Sequence, residues 1–145
     1  MLSNPSHILD VNVLIALTDQ AHVHHKLVLK WFIGSANLDW GWCPFSEAGF
    51  LRVTTNPKFG GHSVDVATAV LADLRERPGF QFWPIDVTWP DLVAPIQAKI
   101  FGHQQITDAY LLGLAIQKRA VVVTLDKAFK QMAGAQFSSN VLVLE

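Results

Sequence analysis

Four acidic residues of this 145-residue chain stand beside predicted strand ends or in the first turns of predicted helices: Asp10, Glu47, Asp108 and Asp126. If one edge of a sheet gathers them, their like charges destabilise the folded chain unless a cation neutralises them. Hard divalent cations such as Mg²⁺ and Mn²⁺ prefer sites made of oxygen ligands alone. Such an ion activates a water molecule and neutralises charge on a phosphodiester. The pattern therefore indicates metal-dependent hydrolysis as one chemistry open to these residues.

Each acid also has a structural explanation that needs no chemistry. Asp10 and Asp126 are suitable helix caps, and Asp108 complements the dipole of a helix. Glu47 is harder to explain in this way. The predicted helix Phe45–Val53 is apolar nearly all the way round, and Glu47 is its one acid. Such a helix is expected to be buried, where a carboxylate is costly unless it is paired or binds a metal.

The stretch His7–Leu17 shows how the chain positions the first acid. A short apolar run, the buried end of a strand, leads to Asp10, and the residues from Val13 onward predict a buried helix. In an open α/β sheet, ligands bind outside the carboxyl ends of the strands. Asp10 is therefore expected at the edge where such folds place their sites.

The later acids occupy comparable positions. Ala120–Leu125 is a continuous run typical of a parallel strand buried on both faces, and Asp126 follows it directly. Asp108 lies in the first turn of a helix that Thr107 is expected to cap. Apolar residues three, four and seven positions further on share its face, so that face is expected to turn toward the core.

The rest of the chain alternates strands with helices. Further strands are predicted over Ile8–Leu9, Leu38–Cys43, Phe80–Ile85 and Asn140–Leu144. Further helices are predicted over His22–Ile33, Val64–Glu76, Trp89–Phe101 and Lys127–Met132, with Thr88 and Asp91 forming a capping box and Pro95 kinking or splitting the third of these. This alternation predicts a single α/β domain with a mostly parallel central β-sheet flanked by α-helices.

Composition excludes several classes of protein. Half of the residues are hydrophobic and 16% are charged, which favours a well-filled core over disorder. The net charge of −1 provides no strong basic field for nucleic acid, so any such contact must come from a local patch. Cys43 is the only cysteine, which excludes an internal disulfide, and no targeting segment or membrane span is apparent. A cytoplasmic domain is expected.

Five motifs, in this order along the chain, carry a family resemblance: ILDVNVLIAL, HVHHKLVLKWF, FSEAGFLRVTTNP, ITDAYLLGLA and VVVTLDKAF. Each is moderately specific alone, but the ordered set is distributed over nearly the whole chain, from Ile8 to Phe129. The chain resembles a PIN domain and, within that group, a VapC-type toxin of a bacterial toxin–antitoxin pair.

The resemblance implies a PIN-like three-layer sandwich over residues 1–145, and a bacterial, cytoplasmic endoribonuclease that uses Mg²⁺ or Mn²⁺. It further implies a homodimer and a small cognate antitoxin that occupies the site. The catalytic and metal-binding quartet of the family falls on Asp10, Glu47, Asp108 and Asp126, and its supporting polar residues fall on Asn12, Thr107 and Thr124.

Roles for these residues follow from the chemistry of oxygen ligands. Asp10 and Asp108 are expected to bind the metal directly, while Glu47 and Asp126 bind through water or orient the attacking water. Candidate contacts to the RNA backbone are Arg52, Lys58, Lys127 and Lys130. Arg52 is equally well explained as an ion-pair partner inside the fold, and loop lysines are usually just solvated.

Three other interpretations stay open at this point. Asp10 suits an aspartate-nucleophile phosphatase or phosphotransferase, although Asn12 stands where that chemistry wants a second acid. The chain could also be a non-catalytic PIN-like binding partner, in which the four acids lie close together without binding a metal. His22, His24 and His25 resemble a zinc site but lack a partner set at tetrahedral spacing, so we expect them to start the second helix. His103 precedes the Asp108 helix and is assigned no role.

Overall fold

A five-stranded sheet forms the centre of the computed structural model, which describes residues 5–35 and 38–145. Its strands are β1 (His7–Leu9), β2 (Trp40–Trp42), β3 (Phe80–Phe82), β4 (Val121–Thr124) and β5 (Val141–Val143). All neighbouring strands pair in parallel, in the order β3-β2-β1-β4-β5. The α/β prediction is confirmed, and every strand falls on a predicted run.

Helices connect these strands. They are α1 (Val11–Thr18), α2 (His25–Gly34), α3 (Pro44–Thr54), α4 (Val64–Arg75), α5 (Trp89–Val93), α6 (Ile106–Lys118) and α7 (Ala128–Ala133). Single 3₁₀ turns occupy Gln97–Lys99, His103–Gln105 and Ser138–Asn140. No helix in the described ranges is long and apolar enough to cross a bilayer. The expectation about targeting segments also concerns residues 1–4, which lie outside those ranges.

The order of the strands reverses at β1. From β1 the chain builds β2 and β3 on one side, and it then adds β4 and β5 on the other. Open α/β sheets form a crevice at such a switch point, outside the carboxyl ends of the two central strands. The register pairs Leu9 with Val123, so the next residues along each strand, Asp10 and Thr124, stand side by side at that crevice.

The sheet separates two apolar cores, because alternate residues of a strand point to opposite faces. Ile8 and Val122 pack with residues of α5, α6 and α7 on one face. Leu9, Trp42 and Val123 pack with residues of α1 to α4 on the other. These three layers hold β1 and β4 rigidly, and with them the polar residues at their ends.

The prediction that α3 is buried all the way round is wrong. Only Ser46 and Phe50 in this helix are buried, whereas Ala48 and Arg52 are exposed. The helix lies at the outside of the domain, packed against α1 on one side and α6 on another. Its apolar residues therefore divide between these contacts and solvent, and Glu47 is only partly buried.

Two predicted helix starts also differ from the structure. Thr107 does not cap α6, because the turn His103–Gln105 runs directly into the helix and the Ile106 N–H donates to the His103 carbonyl. The capping box of α5 does not form either: Thr88 lies at the cap position, but its side chain accepts no capping hydrogen bond. The predicted split at Pro95 is confirmed, since α5 ends at Val93.

Candidate active site

Asp10 is fixed by both of its carboxylate oxygens. Its Oδ1 accepts a hydrogen bond from the Val11 N–H at 2.7 Å, and its Oδ2 accepts one from the Thr124 hydroxyl at 2.8 Å. Its own N–H donates to the Val123 carbonyl at 3.0 Å. The side chain is 6% exposed. The capping role predicted for Asp10 is therefore real, and the same contacts hold the carboxylate at the crevice.

Thr124 connects the two central strands at this point. Its fully buried hydroxyl donates to Asp10 and accepts a hydrogen bond from the Asp126 N–H at 3.0 Å. One hydroxyl thus orients a carboxylate after β1 and the main chain after β4. This contact supports the placement of Thr124 among the polar residues of the site.

Three of the four predicted acids lie within electrostatic reach of one another. Burial raises the pKa of Asp10, the hydrogen bonds from Thr124 and Val11 oppose that rise, and the charge of Asp126 adds to it. Burial likewise raises the pKa of Asp108 to about 7, and the charges of Asp10 and Asp126 contribute. The crowding of like charges expected from the sequence is present in the fold.

Asp108 lies in the first turn of α6 and is half-buried. The residues below it on the same face, Leu111, Leu112 and Ala115, are fully buried, as predicted. The helix therefore turns this carboxylate toward the sheet edge. Its raised pKa reflects burial and the neighbouring carboxylates, which outweigh any stabilisation of the charged form by the helix dipole.

Glu47 reaches the same end of the sheet from α3, but its charge is not among the causes of the raised pKa values of Asp10 and Asp108. The rings of Phe45 and Tyr110 stack with centroids 4.4 Å apart, which places the first turn of α3 beside that of α6. Glu47 therefore lies near Asp10, Asp108 and Asp126 but is not among the acids that interact most strongly.

Trp42 is a site residue that the sequence did not reveal. Its fully buried indole N–H donates to Glu47 Oε2 at 2.9 Å. A buried tryptophan needs an acceptor for its N–H, so a tryptophan closely preceding a glutamate was a usable signal. The contact anchors the carboxylate to the end of β2.

Gly49 sets the distance between α1 and α3 next to the acids. A Cβ built at Gly49 would stand 2.5 Å from a γ-methyl carbon of Val11, closer than real contacts allow. Because Val11 directly follows Asp10, any larger residue at position 49 would push α3, and Glu47 with it, away from the crevice.

Asp126 has a structural role as well as its place in the cluster. Its Oδ1 accepts a hydrogen bond from the Ala128 N–H at 2.9 Å, where the chain turns toward α7. The side chain is exposed, and its second oxygen has no such contact within the described ranges. Lys127, and not Asp126 as predicted, occupies the N-cap position of α7, but the contact with Ala128 still fixes one oxygen of Asp126.

The remaining supporting residues lie at the rim. Asn12 and Thr107 are exposed in the first turns of α1 and α6. Among the predicted RNA contacts, Arg52 and Lys58 are exposed, and Arg52 forms no ion pair within the described ranges.

The two lysines near α7 have partners within the chain. Lys127 pairs with Glu145 at 3.3 Å, and Lys130 donates to the Ser138 carbonyl at 2.9 Å. Both contacts are exposed and weak, so they do not prevent these lysines from binding a phosphate. Lys58 has no such side-chain contact within the described ranges, so among these three lysines it is the better candidate for a phosphate contact.

The histidine cluster behaves as a helix start. The His22 ring accepts a hydrogen bond from the His24 N–H, and the His25 Nδ1–H donates to the Ala16 carbonyl at 2.7 Å. The helix begins at His25, three residues later than predicted, because residues 19 to 24 form turns. His103 is exposed in the 3₁₀ turn before α6.

The donor set fits a hard divalent cation. Asp10, Asp108 and Asp126 lie at one corner of the sheet, and a cation would relieve the repulsion that, after burial, contributes to the raised pKa of Asp108. Across residues 5–35 and 38–145, no three carboxylate, imidazole or thiol groups stand close enough to hold an ion among them. Mg²⁺ often takes one or two carboxylates and keeps several waters, so these residues suit an ion bound partly through water.

Comparisons with known proteins agree with this architecture. The family model described as PIN domain matches residues 7–135. Ribonuclease VapC38 of Mycobacterium tuberculosis (strain ATCC 25618 / H37Rv) is 43% identical over 121 residues, which cover 82% of this chain and 84% of that protein. Ribonuclease VapC39 of the same organism (strain CDC 1551 / Oshkosh) is 35% identical over 130 residues, covering 88% and 94%.

A solved structure shares the fold. It is described as VapBC2 from Rickettsia felis bound to a DNA fragment from their promoter, and the match has a TM-score of 0.70 at 13% sequence identity. The match covers 97% of this chain and 99% of that one. At this identity the likeness concerns the fold alone.

Proposed function

Because this chain belongs to the PIN-domain family, and within it to the VapC ribonucleases, we propose that it is a divalent-metal-dependent endoribonuclease, the toxin of a toxin–antitoxin pair. One observation carries the proposal beyond family membership. Asp10, Asp108 and Asp126 crowd at the switch point of the sheet, and this crowding helps to raise the pKa of Asp108 to about 7. Strongly perturbed pKa values cluster at functional sites, and a cation bound here would neutralise the repulsion.

Asp10 and Asp108 would hold the cation. When bound, Mg²⁺ or Mn²⁺ supplies neutralising charge for the scissile phosphate and a more acidic water. Thr124 keeps the Asp10 carboxylate oriented through its hydroxyl. Trp42 occupies Glu47 Oε2, which leaves Oε1 to orient the attacking water and accept its proton. Asp126 is held at the turn before α7 and would complete the shell of the ion through water.

The partners follow from the chemistry of the surface. An acidic crevice attracts an arginine or lysine, so an antitoxin segment bearing one would occupy it and inhibit the enzyme in the bacterial cytoplasm. Exposed side chains of Val23 and Ile33 add apolar surface that a homodimer would cover. Co-expression with the neighbouring small reading frame should yield an inactive complex, and light scattering should give a dimer mass for the purified chain. Free, active protein in the presence of the co-expressed neighbour would contradict the antitoxin proposal. A monomer mass at micromolar concentration would contradict the homodimer.

The central test is cleavage of total RNA by the purified protein, with Mg²⁺, with Mn²⁺ or with EDTA, followed by mapping of the cut sites. We expect defined internal cuts that require the metal. A phosphomonoester substrate, tested alongside, separates the phosphatase alternative. Hydrolysis of the monoester without cutting of RNA, or no reaction with either substrate, would overturn the proposal.

A further inference from the structure

A cleft of about 830 Å³ opens between α1, α3 and the loop that leads to α4. We call it the α1–α3 cleft. Its floor is apolar and includes Phe50 and Ala67, which are both 1% exposed. Its rim is polar and carries Asn12, Asp19 and His22. An apolar floor with a few polar groups around it, at this volume, is typical of a small-ligand site rather than of a packing defect.

The α1–α3 cleft begins near the acidic site, although none of the four acids lines it. Asn12 lies in the first turn of α1, two residues after Asp10, and it lines the cleft. On α3, Phe50 lies three residues after Glu47, so one face of the helix carries both the glutamate and the floor of the cleft. The cleft therefore starts close to the acids and runs along α1 and α3 away from them, toward His22 and Thr54.

Phe59 is held at the mouth of the cleft with 74% of its surface exposed. The loop around it is fixed, because the N–H groups of Phe59 and Gly61 both donate to the Asn56 carbonyl at 3.0 Å. Gly60 packs against the main chain of α3, where a Cβ would stand 2.6 Å from the Thr54 carbonyl oxygen. The aromatic ring is thus presented on a rigid support instead of on a mobile loop.

Two polar groups beside this ring favour a nucleotide as occupant. Lys58 adjoins Phe59 and also lines the cleft. His22 accepts the His24 N–H at Nδ1, so a neutral ring carries its proton on Nε2 and has a donor to offer. The one rim carboxylate, that of Asp19, accepts a hydrogen bond from the Ala21 N–H at 3.0 Å. A stacking ring, a cation and a hydrogen-bond donor are the elements that bind an unpaired base with its phosphate.

We propose that the α1–α3 cleft binds an unpaired base of the RNA substrate. Phe59 stacks on the base, and Lys58 contacts the adjoining phosphate. This inference rests on the proposed ribonuclease function and adds to it a subsite that selects single-stranded RNA. An antitoxin segment is the competing occupant, and the test separates the two.

The test measures binding in EDTA, where no cleavage occurs. The probes are a fluorescein-labelled single-stranded 12-nucleotide RNA of randomised sequence and an abasic ribose-phosphate chain of equal length. Phe59→Leu should weaken binding of the base-bearing probe on the order of tenfold and leave the abasic probe unchanged. Phe59→Trp, which keeps an aromatic ring at this position, should bind the base-bearing probe as well as the parent does. Lys58→Gln should weaken both probes and reduce the salt dependence by about one phosphate contact.

Phe101→Leu is the matched control, because Phe101 is 85% exposed and does not line the cleft. It should bind both probes like the parent, and all variants should melt at the parent temperature. Equal loss of both probes in Phe59→Leu, or no loss, overturns the inference. So does unchanged RNA binding combined with loss of the co-expressed antitoxin.

Failure of the ribonuclease function itself has a different signature. In that case the parent protein does not cut total RNA with Mg²⁺ or Mn²⁺, whatever the binding assay shows. If the parent cuts RNA but Phe59→Leu binds both probes normally, the base-binding inference is refuted and the ribonuclease function stands.

Discussion

Trp40 and Trp42 lie two residues apart on β2 and pack into the same core, yet their indole groups serve opposite ends of the sheet. Trp40 donates its N–H to the Pro78 carbonyl at 2.9 Å, in the turn that leads to β3. Trp42 donates its N–H to the Glu47 carboxylate, also at 2.9 Å. Residue type, strand and burial are the same, and only the acceptor differs. One contact supports the scaffold, and the other orients an acid.

The surroundings of the two tryptophans differ in the same way. At the amino end, an apolar hollow of about 400 Å³ lies beside Trp40, lined by residues such as Leu17, Phe32 and Leu74. At the carboxyl end of the sheet, Trp42 instead lies near the carboxylates of the candidate site. The comparison teaches that burial alone does not identify a functional position in this fold. What identifies it is the chemistry that the buried group supports.

The largest effect is expected from Asp108→Asn at the carboxyl end. Loss of this proposed metal ligand should remove several kcal/mol of transition-state stabilisation, which lowers RNA cleavage on the order of a thousand-fold. The metal-free variant should nevertheless be more stable than the parent, by about 0.5–2 kcal/mol, since it loses like-charge repulsion. Cleavage assays and thermal melts in EDTA measure both effects.

Asp65→Asn is the matched control for this variant. Asp65 is an exposed acid in the first turn of α4, so it complements a helix dipole without facing other acids. Its loss should destabilise the protein slightly and leave cleavage unchanged. An Asp108→Asn variant that melts lower than the parent and still cuts RNA would show that the two acids have the same structural role.

Metal binding should stabilise the parent more than the Asp108→Asn variant. An ion that binds only the folded state, present at a hundred times its Kd, adds about 2.7 kcal/mol to the free energy of unfolding. Melts of both proteins with and without Mg²⁺ or Mn²⁺ provide the comparison. Equal stabilisation of the two proteins would place the ion away from Asp108.

The tryptophan pair provides the sharpest test of the difference between the two ends. Trp42→Phe removes the N–H donor to Glu47, and loss of such an orienting contact typically costs 10–100-fold in activity or metal affinity, so we expect about that loss of cleavage. Trp40→Phe removes an equivalent donor at the amino end and should leave cleavage within about twofold of the parent, since the carboxylates keep their places. Both variants should lose similar stability in melts. Equal losses of activity in the two variants would show that Trp42 acts only through packing.

The smallest effect concerns pH. Folding raises the pKa of Asp108 from its ordinary value of 3.8 to about 7, so between these values the folded state keeps a proton that the unfolded chain releases. The free energy of unfolding of the metal-free protein should therefore fall as pH rises through this window and level off above about 7. The raised pKa of Asp10 acts in the same direction.

Asp108→Asn should remove part of that decrease. We expect the two stability curves to differ by on the order of 1–2 kcal/mol at neutral pH and to converge below pH 4, since the half-buried group is partly screened. Denaturant unfolding in EDTA from pH 4 to pH 8 measures the curves. Parallel curves would mean that Asp108 does not keep its proton in the folded protein.

The sequence predicted most of this arrangement because its strongest signals are local. The apolar run at Val121–Thr124 and the strand–carboxylate–helix order around Asp10 needed no knowledge of distant residues. Parallel pairing then brings the carboxyl ends of neighbouring strands together. The positions of Asp10 and Asp126 followed from these two facts.

What the sequence did not predict depends on contacts between distant residues. The exposure of Ala48 and Arg52 depends on which sides of α3 are covered by α1 and α6, and helical periodicity carries no such information when nearly every position is apolar. The start of α6 depends on a 3₁₀ turn that supplies a carbonyl in place of the Thr107 side chain. The α1–α3 cleft is likewise a property of the space between elements.

The hydrogen bond between Thr124 and Asp10 has a consequence for the synthesis of the protein. It spans 114 residues of sequence, from the first strand made to the fourth. A growing chain can pair β1 with β2 early, but β1 gains its second neighbour only after residue 124 has emerged from the ribosome. Every shorter nascent chain lacks Thr124 and Asp126. A chain truncated before that point therefore lacks two residues proposed for the site, and the β4 neighbour of β1 is missing beside Asp10.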